Sequence, residues 1–159
     1  MSGKVGIVMG SASDKPTLAA AEAVLKDFGI EFETRVLSAH RTPDALRVWI
    51  GAAERGGVRV FIAGAGLAAA LPGVVAAHTT YPVIGVPLAG PSSVAGGLDA
   101  LLSIVQMPPG IPVGCVAIGE NGARNAAILA AQILSLGEPA LQEKIKAQRK
   151  AAADKVLAG

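Results

Sequence analysis

The chain has 159 residues and a formal net charge of +2, with 52% hydrophobic, 16% charged and 3% aromatic residues. A balance this near neutral, without a basic stretch interleaved with aromatics, argues against nucleic-acid binding. No apolar run reaches the roughly 18–20 residues that a spanning helix needs, which argues against a membrane protein.

Charged residues make up roughly 25% of a typical soluble domain. A chain this apolar is therefore expected to bury surface against copies of itself, as a homo-oligomer. The length predicts one domain, 1–159, with a core over 4–136 and a helical arm over 138–159. No signal-peptide pattern is visible at the start. The single cysteine, Cys115, cannot form an intrachain disulfide; it reads as a buried small hydrophobe and fits a cytoplasmic setting.

The run 4–9 (KVGIVM) is β-branched, ends at glycine and predicts a strand buried on both faces. Gly10-Ser11-Ala12-Ser13-Asp14 follows, then a helix to Phe28 that tolerates Pro16 in its first turn and closes at Gly29. A second buried strand is expected over 31–37, then the turn Ser38-Ala39-His40-Arg41-Thr42-Pro43, then a helix to Arg55. A third strand is expected over 58–63, leading into a small-residue loop, 64–73, and a short helix over 74–78. The fourth strand is placed at 82–88, a Gly/Pro/Ser loop at 89–95 and a helix at 97–106. A fifth strand is placed at 111–118 and a turn at 119–122. The alanine-rich helix 123–136 should be buried on more than one side. The charged helix 141–157 reads equally as a solvated surface helix or as an arm on a neighbouring subunit.

Strands alternating with helices, and apolar throughout, imply a three-layer α/β domain with a parallel five-stranded sheet. At this length the flavodoxin-like order 2-1-3-4-5 is expected, with the C-terminal helix added to it. Ligands in such sheets bind beyond the carboxyl ends of the strands, where the order reverses. Three loops meet there.

In the first, Gly10, Ser11 and Ser13 sit at a helix start and can offer amides and hydroxyls to an anion; the plainer reading is a capped turn with no ligand. Asp14 is either the helix N-cap or an acceptor for ribose hydroxyls. In the second, Arg41 can clamp phosphate or carboxylate with two prongs. His40 carries an imidazole, which both takes and gives protons near neutral pH. In the third, Ala65, Gly66 and their small neighbours permit close backbone approach to a flat ligand, or else close helix–strand packing. His78 reads as structural or surface. No spacing suggests a metal site. The residues point to a small phosphorylated substrate and proton transfer at one histidine, with no cofactor.

The same motifs resemble a known family. The GSASD start, the SAHRTP turn, the AGAG…LPG loop, the PVIGVP strand, the GLDALLSIVQMP segment and AIGENGARNAAILAAQIL occur in order between about 5 and 136. Together they are similar to class I N5-carboxyaminoimidazole ribonucleotide mutases (PurE) of purine biosynthesis. The resemblance implies an octamer, a phosphoribosyl aminoimidazole substrate and transfer of a carboxylate from the exocyclic nitrogen to C4. It implies His40 as acid and base, and Ser11, Asp14 and Arg41 on the ribose phosphate, supported by Ser13 and Ser38. It also implies that the small-residue loop encloses carbon dioxide and that SIVQMP completes the site. The chain departs from the usual motif at Leu67, where glycine is usual, and at Ala70, where histidine is usual. Its loop around 90–96 is longer. A carboxylase using free carbon dioxide, and a nucleotide-binding module without catalysis, are the rival expectations.

Overall fold

The computed structural model describes residues 3–159. Along the chain run β1 (Lys4–Met9), α1 (Lys15–Phe28), β2 (Phe32–Val36), α2 (Pro43–Arg55), β3 (Val58–Gly66) and α3 (Leu71–Ala77). They are followed by β4 (Val83–Leu88), α4 (Leu98–Val105), β5 (Gly114–Cys115), α5 (Gly119–Ser135) and α6 (Pro139–Leu157). The strands form one parallel sheet in the order β2-β1-β3-β4-β5, the flavodoxin-like order.

Alternation along each strand divides the core in two. Val5, Ile7 and Met9 of β1 point to the layer of α1 and α5, together with Val60 and Ile62 of β3 and Ile84, Val86 and Leu88 of β4. Val8, Phe61, Ala63, Ala65 and Val83 point to the opposite layer, where Leu46, Trp49 and Ile50 of α2 and Ile104 of α4 meet them. Because both faces are covered, the central strands are apolar beyond Lys4 and Arg59 near their starts. Each fully buried leucine or isoleucine contributes about 1.5–3 kcal/mol.

β2 departs from that pattern. It is an edge strand and half-buried, not fully buried as expected. Two of its polar side chains bond to the helices instead. Glu33 accepts from Trp49 Nε1 at 3.0 Å on one face, and Thr34 donates to Glu22 at 2.6 Å on the other.

Four other boundaries moved. β3 runs on through Gly64 to Gly66. Gly64 is there because a Cβ would stand 2.7 Å from Leu18, so its small size serves helix–strand packing. α3 begins at Leu71, since Pro72 fits a first helical turn. β5 shrinks to two residues. Its approach carries Pro108, Pro109 and Pro112, which have no amide to donate. Its exit is broken at Ala117, with φ 137°. α5 starts at Gly119, not after Gly122. Gly122 reads as a turn signal in sequence, but it is a contact residue: a Cβ there would lie 2.2 Å from the Ala117 carbonyl oxygen.

α6 buries Leu141 and Ile145, and Lys144 Nζ donates to the Phe28 carbonyl at 2.8 Å at the end of α1. Its last turns are exposed. Among the described residues no helix is long and apolar enough to cross a membrane.

Candidate active site

The carboxyl ends of β1 to β4 surround a cleft of about 690 Å³, within the ordinary range for small-molecule sites. Gly10, Ser11, Ser13, Asp14, Ser38, His40, Arg41, Ala65 and Gly66 all line it, so the three loops do converge.

The first loop is an internally bonded turn. Ser11 is extended and caps a single 3-10 turn, Ala12–Asp14. Ser11 Oγ accepts from the Ser13 amide at 3.3 Å, and Asp14 Oδ2 accepts from the Ser11 amide at 3.0 Å, a reciprocal capping box. Ser13 Oγ donates to Ser11 Oγ at 2.8 Å. The Ser11 and Ser13 amides are thus used inside the loop. An anion here would meet hydroxyls more than the backbone amides expected. Asp14 occupies the N-cap position of α1 but makes no side-chain bond to that helix; it reaches back to Ser11. Its carboxyl is raised above the ordinary value of 3.8 by burial, against the lowering effects of the Ser11 amide, the Ser13 hydroxyl and the Arg41 charge.

The second loop is closed by Ser38 and Thr42. The Ser38 amide donates to Thr42 Oγ1 at 2.9 Å, Thr42 Oγ1 donates to the Ser38 carbonyl at 3.2 Å, and the Thr42 amide donates to the same carbonyl at 2.9 Å. With its hydroxyl so engaged, Thr42 gives α2 no side-chain cap. Pro43 then fixes the exit. Arg41 ties this loop to the first: its Nη2 donates to the Gly10 carbonyl at 2.7 Å, and its Nε donates to Ser38 Oγ at 3.4 Å. His40 stands exposed on the rim between these anchors.

The third loop lines the cleft with Ala65, Gly66, Leu67, Ala68, Ala70 and Leu71, and brings no polar side chain. Leu67 is held at φ 56°, a left-handed conformation that costs a bulky residue about 1–2 kcal/mol.

Sequence reasoning missed two parts of the wall. Thr17, on the first turn of α1, faces the cleft beyond Asp14. A fourth loop, Gly90 to Ser93, closes another side; it is a tight turn in which the Gly90 amide donates to Ser93 Oγ at 2.8 Å. The strand order held the signal for it, since β4 ends beside β3. Other sequence candidates lie elsewhere. His78 is exposed at the end of α3 and outside the cleft. SIVQMP does not line the cleft of this chain; Met107 packs beside Gly73 of α3. Cys115 is only partly buried, and burial pushes its thiol up from the ordinary value of 9.0.

The cleft therefore has two halves. Hydroxyls, a carboxyl, an imidazole and a guanidinium form one; small apolar groups with Leu67, Leu71 and Leu88 form the other. Such a cleft suits a ligand with a polar phosphorylated end and a flat ring.

A family model described as AIR carboxylase matches residues 4–155. The chain belongs to this family. It is 56% identical over 146 residues to the N5-carboxyaminoimidazole ribonucleotide mutase of Pyrococcus abyssi, covering 92% of this chain and 82% of that one. It is 53% identical to the enzyme of the same name from Vibrio parahaemolyticus, covering 98% and 95%. Treponema denticola PurE has a solved structure that superposes with a TM-score of 0.87 at 32% identity, covering 97% of this chain and 94% of that one. As an AIR carboxylase family member, the chain carries its SAHRTP turn and its serine-rich first loop side by side in one cleft, tied together by Arg41.

Proposed function

We propose that this chain is an N5-carboxyaminoimidazole ribonucleotide mutase, an isomerase of purine biosynthesis. The observation that carries the reading is His40, which lines the cleft from the turn closed by the Ser38–Thr42 bonds, beside Arg41. The ribose phosphate occupies the polar half, on Ser11, Ser13, Arg41 and Ser38, with Asp14 facing the ribose hydroxyls. The aminoimidazole ring lies against Ala65, Gly66 and the rest of the third loop.

Protonated His40 gives its proton to the carbamate nitrogen. The N–C bond breaks, its electron pair stays on nitrogen, and carbon dioxide is released in the cleft. C4 of the ring, nucleophilic as part of an enamine, attacks the carbon dioxide. Neutral His40 then removes the C4 proton, which returns the pair to the ring and restores the imidazolium. Atoms and protons balance within the site, so no cofactor is required. The apolar half keeps water from the liberated carbon dioxide.

We also propose an octameric assembly in the cytoplasm. Leu98, Leu102 and Val105 support an assembly: they repeat along one face of α4 and are 42%, 50% and 44% exposed. Purified protein assayed with N5-carboxyaminoimidazole ribonucleotide, and separately with aminoimidazole ribonucleotide plus bicarbonate, tests the function. Turnover is expected with the first. Turnover with only the second makes the chain a carboxylase, and binding without turnover of either makes it a non-catalytic nucleotide binder.

A further inference from the structure

Leu67 combines two unfavourable features at one position. Its backbone is in the left-handed region, where glycine would be relaxed, and its side chain is 51% exposed. Neither is offset by the rest of the chain, since about half of the side chain stays exposed. Leu71 and Leu88, which share the apolar half, are both buried in the core. Leu67 is therefore the large apolar side chain of this half that still has surface to lose. Strain retained at a cleft wall is a signature of a positioning role.

We propose that Leu67 is the water-excluding wall of the apolar half, folding onto the aminoimidazole ring and retaining the carbon dioxide released beside it. The inference rests on the mutase reading and adds a positioning residue to it. Glycine at this position relaxes the backbone but leaves the ring open to solvent. Carbon dioxide then escapes, and the abandoned nitrogen keeps the proton from His40. The product of that leak is aminoimidazole ribonucleotide instead of the C4 carboxylate.

The test uses wild type, Leu67→Gly and Leu67→Ala, the alanine variant keeping a Cβ while removing the isobutyl group. Substrate labelled with 13C in its carboxylate is turned over in unlabelled bicarbonate, and label in the C4 product is measured. Wild type is expected to retain the label. Both variants are expected to lose it and release aminoimidazole ribonucleotide, with melting temperatures no lower than about that of wild type. Calorimetry supplies the second arm. Both variants should bind aminoimidazole ribonucleotide about tenfold more weakly, as expected for lost apolar contact, and ribose 5-phosphate as tightly as wild type. Full retention of label and unchanged affinity for the ring-bearing ligand overturn the role of Leu67. A wild type that binds but does not turn over refutes the mutase reading, and the calorimetric comparison still decides whether Leu67 covers the ring. Failure of wild type to bind either ligand overturns both.

Discussion

In the proposed mechanism His40 gives one proton and takes another, so its loss should damage chemistry far more than binding. His40→Asn keeps a polar side chain of similar reach but cannot carry the proton. A fall in kcat of about 10²–10⁴-fold is expected, with substrate affinity by calorimetry changed only a few-fold. Asp14 makes a separate prediction. Its carboxyl is raised by burial, so the folded state prefers it protonated. The penalty for ionising it is absent below the ordinary value of 3.8 and sets in as pH rises through the folded value. Asp14→Asn keeps an acceptor for the Ser11 amide and carries no charge. It should melt higher than wild type at pH 7, and the difference should vanish as pH falls below the carboxylate range. A constant difference across pH would mean that charge burial at Asp14 does not limit stability. Much of this residue-level chemistry was legible from the chain alone. His40, Arg41 and Asp14 are the titratable groups in the serine-bearing loops at strand ends, and the strand order brings those loops together. The roles inside each loop were less legible. That Asp14 serves Ser11 and not α1 depends on the 3-10 turn, for which the Ser11-x-x-Asp14 spacing of a capping box was the available signal.

Among the elements, the turn between β2 and α2 is a clamp built from Ser38 and Thr42. Thr42→Val removes the acceptor for the Ser38 amide and the donor to its carbonyl while preserving shape. A stability loss of about 1 kcal/mol by urea unfolding is expected for an exposed turn. Catalysis should suffer more, since a small displacement of His40 costs about tenfold or more in rate. Thr42→Ser should restore both; rescue of stability without rescue of rate would separate the lock from the histidine's placement. The same scale shows where sequence patterns mislead. GENG reads as a turn because glycine and asparagine usually mark one, yet Gly122 lies inside α5 to make room for the Ala117 carbonyl. β2 reads as another core strand, but its edge position lets Glu33 and Thr34 bond to the helices on either side. Both outcomes depend on partners distant in sequence. The apolar runs of β1, β3 and β4 carry their burial locally and are legible at once.

At the scale of the whole molecule, the low charge content and the exposed side chains describe the same excess of apolar surface. Leu98, Leu102 and Val105 follow i, i+4, i+7 spacing along α4, opposite the buried Ala100 and Ile104. A helix with apolar residues on both faces is covered on both. Ile111 and Val94, also exposed, extend the apolar surface in the segments flanking α4. Leu102 is central to the stripe, so a charge there tests it directly. Leu102→Glu places a carboxylate in a face that would be desolvated on assembly, a cost of several kcal/mol per subunit contact. The isolated fold should tolerate it, because the side chain is already half in water. Sedimentation at matched concentrations is expected to show a smaller species for Leu102→Glu than for wild type, with an unchanged circular dichroism spectrum. The variant should also lose activity if SIVQMP, which does not line the cleft of its own chain, acts across the interface. Co-sedimentation of the variant with wild type would show that α4 is not the assembly face. A smaller species with full activity would show that each subunit's cleft is complete by itself.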